Sequence, residues 1–341
     1  MRRHGTLWPR IIDIENVYEA YKHARKGKGW QNTVKRFEAK LETNLAKIQA
    51  SLIGKTFTTS PYTEKIIHEP KTRTIYRLPF DPDRIVQHAI MNIVEPIWGR
   101  LFISDSYACR VGKGIHAGSR KTMEFIRQNR FCLKMDISKF YPSVDHDILF
   151  EIIQRKIKCR DTLWLTQNIL YSFPGGKNIP IGNYTSQWFG NLYLNELDQY
   201  LKQHERVKSY IRYCDDFCIF SNDKERLNDL THKIETFLTE KLQLSLSKCD
   251  LFPVKRGVDF LGYRHFPKYI LIRKSTVKRV KKRLRTLPGL LITGKISPEK
   301  IMSSLASTMG WLRWANSFHL SNALRIDDLM KLCRNGIPEA V

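Results

Sequence analysis

The sequence is short of acidic residues: 33 Asp and Glu stand against 58 Lys and Arg in 341 residues, for a formal net charge of +25. A chain with this excess repels itself and attracts polyanions, so nucleic acid is the expected partner and an anionic membrane surface is its rival. The shortage is greatest over residues 264–285, which contain ten Lys and Arg and no Asp or Glu. The composition therefore predicts a nucleic-acid-binding protein.

Long apolar runs are absent as well. No stretch approaches the ~18 consecutive apolar residues that a membrane-spanning helix needs. The first four residues, Met1-Arg2-Arg3-His4, lead into polar sequence and not into the apolar core of a signal peptide. We therefore expect no membrane partner and a cytoplasmic location.

Cysteine is scarce and has no metal-binding pattern. The seven cysteines form no Cys-x-x-Cys pair and are odd in number. A zinc site or a disulfide framework is therefore not expected, and reduced thiols are the better interpretation. By contrast, 42% hydrophobic and 11% aromatic residues are ample for a packed core.

The hydrophobic residues alternate between helical and strand spacing, which predicts an α+β fold. Helices are expected over residues 1–60, 83–97, 145–157, 186–201 and 227–238, and strands over residues 62–76, 131–135, 210–220 and 242–246. Thr185 or Ser186 is the expected N-cap of the helix over 186–201. Residues 210–220 are two apolar runs around a polar pair, which is typical of a β-hairpin.

Three acidic residues stand at the ends of predicted strands. Asp136 ends one strand, and Asp215 and Asp216 lie at the tip of the predicted hairpin. A carboxylate buried without a partner costs several kcal/mol, so each is expected to face solvent, a cation or a metal ion. Converging carboxylates suit two Mg²⁺ ions and hence nucleotidyl transfer. The alternative, from these residues alone, is a polar hairpin turn and a helix cap.

Five short segments occur in a fixed order around these acids. They are residues 135–144 (MDISKFYPSV), residues 180–187 (PIGNYTSQ), residues 213–216 (YCDD), Lys248 and residues 260–263 (FLGY). Together they resemble motifs A to E of reverse transcriptases, and the resemblance extends over most of residues 70–265. It implies an α+β right-hand polymerase fold, with fingers, a ferredoxin-like palm and a helical thumb, and the activity of an RNA-directed DNA polymerase.

The resemblance also assigns a catalytic centre. Carried over position by position, Asp136, Asp215 and Asp216 are the metal-binding carboxylates, and the backbone carbonyl of Ile137 is a further ligand. The implied cofactor is a pair of Mg²⁺ ions, for which Mn²⁺ can substitute.

Two more catalytic-centre residues follow from the motifs. Tyr141 lies where the family has its steric gate, so its ring would clash with a 2′-hydroxyl and select dNTPs over rNTPs. An ordinary core tyrosine is the alternative. Lys248 matches the motif D lysine, a proton donor to pyrophosphate or a phosphate contact, with a solvated surface lysine as its alternative.

Residues 71–79 and 83–87 look like the fingers of bacterial reverse transcriptases. In that setting Arg73, followed by Lys71 and Arg77, would bind the incoming triphosphate. The forked donors of guanidinium groups suit phosphate oxygens.

Motif B departs from the common Gln-Gly-x-x-x-Ser-Pro form. Ile181 replaces the first Gln, Gly182 is kept, and Gln187 replaces the final Pro. This form resembles the reverse transcriptases of diversity-generating retroelements, which copy a template-repeat RNA into cDNA with errors at adenines. An apolar Ile181 in the dNTP pocket, with Gln187 as a lesser contributor, would loosen polar discrimination.

Nucleic-acid contacts are expected outside the dNTP pocket. The resemblance assigns a contact with the template or the nucleotide to Arg110 in the fingers, and nucleic-acid contacts to Gly262 and Tyr263 of motif E. In the basic thumb segment, Lys278 and Lys282 would turn toward the phosphate backbone while apolar residues pack on the palm.

The expected domains are N-terminal helices and fingers over 1–130, a palm over 131–263, of which residues 150–180 belong partly to the fingers, and a basic helical thumb over 264–341. The expected partners are template RNA, a cDNA primer-template, dNTPs and a small, basic, helical, oligomeric accessory protein. Two alternatives stay open: another small bacterial reverse transcriptase of the retron or phage-defence kind, and a non-catalytic RNA-binding scaffold on a polymerase fold.

Overall fold

The structure is a computed structural model that describes residues 3–68 and 72–335. Helices and strands both occur, which confirms the predicted α+β class. The chain divides into two compact units. The first contains Met1–Arg110, Met135–Lys208 and Asp229–Cys249, and the second contains Val111–Lys134, Ser209–Asn228 and Asp250–Val341.

The elements up to the first palm motif are α1 (Trp8–Ile11), α2 (Ile14–Arg25), α3 (Asn32–Glu38), α4 (Leu41–Ile53), β1 (Thr63–Ile67), β2 (Arg73–Arg77), α5 (Ile85–Gly99), α6 (Ile115–Gln128) and β3 (Phe131–Ile137). They are followed by α7 (Phe140–Ser143), α8 (His146–Gln154), α9 (Arg160–Leu170), α10 (Tyr184–Gln199), β4 (Tyr210–Tyr213), β5 (Asp216–Ser221) and α11 (Lys224–Leu242). The last are β6 (Leu246–Pro253), β7 (Val258–Phe260), β8 (Tyr263–His265), β9 (Ile270–Ile272), α12 (Lys274–Ile292), α13 (Pro298–Leu312), α14 (Phe318–Ala323) and α15 (Ile326–Asn335).

Within residues 3–68 and 72–335, the strands form three sheets. β1 and β2 form an antiparallel hairpin, in which Thr63 pairs with Arg77. The central sheet has the order β4-β5-β3-β6, and a third antiparallel sheet has the order β7-β8-β9. The hairpin predicted over 210–220 is confirmed as β4 and β5, with Tyr213 opposite Asp216.

Helices α2 and α5 form the core of the N-terminal part of the first unit. Val17, Ala20 and Ala24 repeat at helical spacing on the buried side of α2 and are fully buried. The side-chain amide of Asn16 donates to the carbonyl oxygens of Ile11 and Ala89, which joins α2 to α5. The predicted helical character of residues 1–60 is thus confirmed.

The start of α10 differs from the prediction. The N-cap is Asn183, and Thr185 and Ser186 lie inside the first turn, where both are buried. The amide of Asn183 does not cap the helix; it donates to the Tyr62 hydroxyl at 2.9 Å. Tertiary packing, and not a local capping bond, therefore determines where this helix begins.

The strand predicted over residues 242–246 is also misplaced. Leu242 is the last residue of α11, and Gln243 has a φ of +48°, in the left-handed region that ends helices. The backbone N–H of Leu244 then donates to the carbonyl of Leu238, so the strand starts only at Leu246. The apolar residues 242–244 close a helix instead of pairing in a sheet.

In the second unit, the predicted thumb segment begins with strands and not with a helix. β8 and β9 include residues up to Ile272, and the basic helix α12 starts at Lys274. The helical spacing of Val277, Val280, Leu284 and Leu287 predicts one apolar stripe on this helix. The stripe is confirmed in part, because Leu284 and Leu287 are buried while Val277 and Val280 are half-buried. The buried residues of the thumb cluster are Leu284, Leu287, Leu291, Ile301, Leu305, Leu312, Leu324 and Ile326.

Within the described ranges, no helix combines the length and the apolar character that crossing a membrane requires.

Candidate active site

Asp136 stands near the end of β3, after four buried residues. Its carboxylate is half-buried and accepts a hydrogen bond from the Ser247 hydroxyl at 2.9 Å. The same hydroxyl lies 3.1 Å from the Asp136 carbonyl oxygen, and the Ser138 N–H donates to the Ser245 carbonyl at 2.8 Å. The start of β6 therefore holds Asp136 in place.

Asp215 and Asp216 lie where the sequence predicts them, at the tip of the β4–β5 hairpin. Cys214 and Asp215 form the turn, and Asp216 is the first residue of β5. Cys214 adopts a φ of +53°, and its carbonyl accepts a 3.0 Å hydrogen bond from the guanidinium of the fully buried Arg212. A buried cation thus stabilises a turn in which a non-glycine residue has a left-handed backbone.

Lys134 reaches the second of these acids. Its ammonium lies 3.3 Å from Oδ2 of Asp216, and the lysine is only 8% exposed. Burial opposes the charged form, but the neighbouring groups, of which the Asp216 carboxylate is the strongest, together more than offset this, so the pKa of Lys134 is raised above its usual value. Lys134 is therefore a buried cation in contact with a predicted metal ligand.

The motif B segment is attached to the β1–β2 hairpin within the first unit. The carbonyl of Ile181 accepts a 2.9 Å hydrogen bond from the Tyr76 N–H in β2. Gly182 has a φ of +130°, and a Cβ there would be 2.2 Å from the Tyr76 carbonyl oxygen. Only glycine allows this approach. Ile181 is half-buried, and Gln187 is exposed on α10.

The predicted triphosphate-binding residues lie partly on this hairpin. Arg73 and Arg77 are exposed at the two ends of β2. Lys71 lies outside the described residues. The strand that carries both arginines is joined to motif B by the hydrogen bond from the Tyr76 N–H to the Ile181 carbonyl.

The predicted gate residue follows β3 directly. Tyr141 is a half-buried residue of α7, with its ring 5.4 Å from that of Phe140. Its carbonyl accepts the N–H of Ile179 at 3.0 Å. Ile137, whose carbonyl is a predicted metal ligand, has a buried side chain. The gate and ligand roles stay predictions.

Arg110 and Lys248 have contrasting surroundings. The guanidinium of Arg110 donates to the carbonyl oxygens of Ile103 and Ser106 and lies 5.6 Å from the ring centroid of Phe102. These contacts hold its own loop, and a nucleic-acid contact stays a prediction. Lys248 is exposed on β6, next to the serine that holds Asp136.

Motif E packs against the tail of the chain. Gly262 has a φ of +83°, and a Cβ there would lie 2.8 Å from the ring of Trp311. Tyr263 is fully buried, with its ring stacked on Trp311 at 5.1 Å and its hydroxyl 3.3 Å from Nε2 of His116. Any effect of Tyr263 on nucleic-acid binding would therefore act through this packing.

The predicted phosphate-contacting lysines of the thumb, Lys278 and Lys282, are exposed on α12. The buried Leu284 and Leu287 lie on the other face of the same helix. The helix thus separates charge from apolar surface as the sequence predicts, and the nucleic-acid contact itself stays a prediction.

Sequence reasoning missed Lys134, Arg212 and Ser247. A signal for the first two was present, because a cation inside an otherwise apolar strand requires a buried partner. Lys134 also lies two residues before Asp136, and residues two apart share one face of a strand. Ser247 gave no signal, because its contact depends on where β6 begins.

Comparison with known proteins identifies the family. The family model described as reverse transcriptase (RNA-dependent DNA polymerase) matches residues 67–265, which is more than half of the chain. The chain therefore belongs to the reverse transcriptase family. The predicted enzyme class, an RNA-directed DNA polymerase, is confirmed with it.

Several curated proteins are similar over large parts of the chain. Protein YkfC of Escherichia coli (strain K12) is 26% identical over 70% of this chain and 74% of its own length. The group II intron-encoded protein LtrA of Lactococcus lactis subsp. cremoris is 23% identical over 83% of this chain and 60% of LtrA. The retron Ec83 reverse transcriptase of Escherichia coli is 24% identical over 51% of this chain and 58% of that enzyme.

Reverse transcriptases generally use divalent metal ions and bind template RNA and nucleotides. Among the residues that the structure describes, no three His, Cys, Asp or Glu side chains form a group that could hold a metal ion. Taken one by one, the predicted donors have the chemistry of Mg²⁺ ligands, because Asp136, Asp215 and Asp216 are each half-buried and offer only oxygen atoms.

Proposed function

We propose that this chain copies a template-repeat RNA into cDNA, with errors at adenines, as the reverse transcriptase of a diversity-generating retroelement. The family match supports the polymerase part of the proposal. The subgroup rests on one observation: an apolar residue, Ile181, stands in motif B at a point bonded directly to the β2 backbone.

Asp136, Asp215 and Asp216, with the carbonyl of Ile137, are the residues that would hold two Mg²⁺ ions. Bound there, the ions would supply charge neutralisation for the transferred phosphates and a more acidic 3′-hydroxyl. The Ser247 hydroxyl donates to the Asp136 carboxylate, and the Arg212 guanidinium donates to the Cys214 carbonyl in the turn that contains Asp215, before substrate arrives. Groups that are already in place need no reorganisation during the reaction, so they stabilise the charge that develops in the transition state more strongly.

The remaining residues would select and orient the nucleotide. Arg73, Arg77 and Lys71 would bind the triphosphate, since guanidinium forks and ammonium groups match phosphate oxygens. Tyr141 would exclude a 2′-hydroxyl, and Lys248 would donate a proton to, or contact, the leaving pyrophosphate.

The infidelity would originate at Ile181. An amide at this position can hydrogen-bond nucleotide and template, and a wrong base then leaves a polar group without its partner, which is penalised. An isoleucine offers no such bond. Mispairs opposite template adenine are therefore less disfavoured.

The test is the error spectrum of Ile181→Gln on an RNA template, read by sequencing the cDNA. We expect the misincorporation rate opposite adenine to fall about tenfold or more, which corresponds to a gain of about 1.4 kcal/mol in discrimination. Ile181→Leu is the matched control, because it keeps the pocket apolar and should keep the wild-type spectrum. An unchanged spectrum in Ile181→Gln would contradict the proposal.

The similarity to the retron Ec83 enzyme gives the second candidate, a retron-like reverse transcriptase. The same experiment separates the two. A wild-type enzyme that copies adenines as accurately as the other bases would favour the retron-like function.

The partners implied by the proposal are template RNA, a cDNA primer-template and a small, basic, helical, oligomeric accessory protein. Copying the flanking RNA with and without that protein would test the last of these. Cytoplasmic location belongs to the same proposal.

A further inference from the structure

Lys134 is a charged residue in the middle of an apolar strand. It lies between Leu133 and Met135 in β3, both fully buried, and is itself 8% exposed. An ammonium in such surroundings is costly unless it has close partners. The contacts of Lys134 show what those partners are.

The first partner is a carboxylate of the catalytic set. The ammonium is 3.3 Å from Oδ2 of Asp216, and the Asp216 side chain is 28% exposed while that of Lys134 is 11% exposed. The Lys134 ammonium is thus sheltered, whereas the Asp216 side chain keeps some solvent exposure although its Oδ1 atom is buried. Because the Lys134 ammonium contacts Oδ2, the Asp216 carboxylate loses rotational freedom, while its side chain stays partly exposed to solvent.

The second set of partners belongs to β7. The Lys134 ammonium donates to the carbonyl oxygen of Asp259 and lies 5.9 Å from the ring centroid of Phe260. β7 is bonded to β8, the strand that starts with Tyr263 of motif E. A single ammonium therefore connects the Asp216 carboxylate to the motif E hairpin.

We propose that Lys134 is a positioning residue for Asp216, which holds the carboxylate in its reactive orientation and competes with divalent cations for it. The proposal rests on the proposed role of Asp216 as a metal ligand. Two effects of opposite sign follow. The ammonium orders the carboxylate, which favours turnover, and its charge opposes a metal ion, which weakens metal affinity.

The experiment uses Lys134→Met, which keeps most of the length of the unbranched side chain and removes the charge. The matched control is Lys121→Met, which removes a lysine that forms an ion pair with Glu124 on the surface of the same unit. Each variant is examined by thermal unfolding, by Mn²⁺ binding to the nucleic-acid-free protein with electron paramagnetic resonance, and by dNTP incorporation on a primed RNA template.

For Lys134→Met we expect kcat to fall about tenfold or more, with KM for dNTP within about twofold of wild type, because the nucleotide pocket is untouched. We expect Mn²⁺ to bind at least about twofold more tightly, because a competing positive charge has been removed. The control should match wild type in all three measurements. A merely structural role would instead lower thermal stability, Mn²⁺ affinity and kcat together.

Lys134→Arg keeps the positive charge, and it tests the proposal if Lys134→Met does not fold. It should retain at least about a third of the wild-type kcat and bind Mn²⁺ within about twofold of wild type. A folded Lys134→Arg enzyme with a kcat more than tenfold reduced would overturn the proposal. So would a folded Lys134→Met enzyme with unchanged kcat and Mn²⁺ affinity, or one that loses both.

Asp216→Asn distinguishes failure of this proposal from failure of the proposed function. If Asp216 is a metal ligand, that variant loses Mn²⁺ binding and incorporation whatever Lys134 does. If Asp216→Asn keeps both, the metal assignment itself is wrong and the proposal falls with it.

Discussion

A side chain at position 182 would collide with the backbone of β2. The Cβ of Gly182→Ala would lie 2.2 Å from the Tyr76 carbonyl oxygen, and the φ of +130° is itself unfavourable for alanine. We expect the variant to lose about 2 kcal/mol or more of unfolding free energy and most of its dNTP incorporation. Urea unfolding and primer extension measure the two losses.

Gly175→Ala is the matched control in the same unit. Gly175 also has a positive φ, +95°, but a Cβ there would meet no atom within 4 Å. Gly175→Ala should lower the free energy of unfolding by about 1 kcal/mol, the cost of placing alanine at a positive φ, and should leave dNTP incorporation nearly unchanged. Equal effects of the two substitutions would show that the contact with β2 is unimportant.

At the scale of single residues, the sequence predicts those whose chemistry conflicts with their surroundings. Asp136, Asp215 and Asp216 were identifiable because acids at the ends of apolar strands require a partner or solvent. Ser247 was not identifiable, since a serine near a strand start is ordinary. Lys134 is an intermediate case. Its burial could be predicted from the apolar strand around it, but its partners could not, because they depend on how β5 and β7 pack.

At the scale of elements, the motif E hairpin has a built-in dependence on pH. His265 in β8 is buried, and its Nε2 lies 2.7 Å from the Ser119 hydroxyl, which also accepts the indole N–H of Trp314. Its Nδ1 lies 3.2 Å from the carbonyl oxygen of Val258. Burial lowers the pKa of His265 to about 4, so the folded protein holds this ring neutral.

The direction of the pH effect follows from linkage. An unfolded histidine titrates near pH 6.5, so between about pH 6.5 and pH 4 the unfolded chain binds more protons at this site than the folded one does. Stability is complete above this window and decreases as the pH falls through it. At pH 5 the loss from His265 is about 2 kcal/mol relative to pH 7.

Urea unfolding of wild type and His265→Gln at pH 7 and pH 5 checks this prediction. The variant should be less stable at pH 7 but should lose less stability on acidification. Part of the wild-type loss should persist in it, because burial also lowers the pKa of His88 to about 4. The exposed His319→Gln serves as control, and an unaltered pH dependence in His265→Gln would refute the assignment.

Element types were predictable where periodicity extended over many residues, and boundaries were not. The β4–β5 hairpin, α5 and the stripe of α12 all followed from the spacing of apolar residues. The start of α10 was wrong because Asn183 makes a tertiary bond to Tyr62. The strand predicted over residues 242–246 was wrong because Leu242 still belongs to α11. The left-handed Gln243 then ends that helix, so the strand begins only at Leu246.

At the scale of the whole molecule, the net charge of +25 predicts RNA binding that weakens steeply with salt. Lys278 and Lys282 are exposed on the basic helix, and each is proposed to contact one phosphate. We expect the double variant Lys278→Gln/Lys282→Gln to reduce the slope of log K against log salt concentration by about 1.4 to 1.8. Equilibrium binding of a primer-template at several salt concentrations measures it.

Lys300→Gln is the matched control, an exposed lysine in the first turn of α13 outside the basic segment. It should leave the slope within experimental error. If it and the double variant had the same effect, binding would depend on total charge and not on the basic helix.

The central claim is that Asp136, Asp215 and Asp216 make this chain an RNA-directed DNA polymerase. Its most direct test is Mg²⁺-dependent dNTP incorporation on a primed RNA template by wild type and Asp215→Asn, with RNA affinity measured in parallel. We predict incorporation by wild type, a loss of about a thousandfold or more in the variant, and RNA affinity within about twofold. Incorporation that survives in a folded Asp215→Asn protein, or no incorporation by wild type, would contradict the claim.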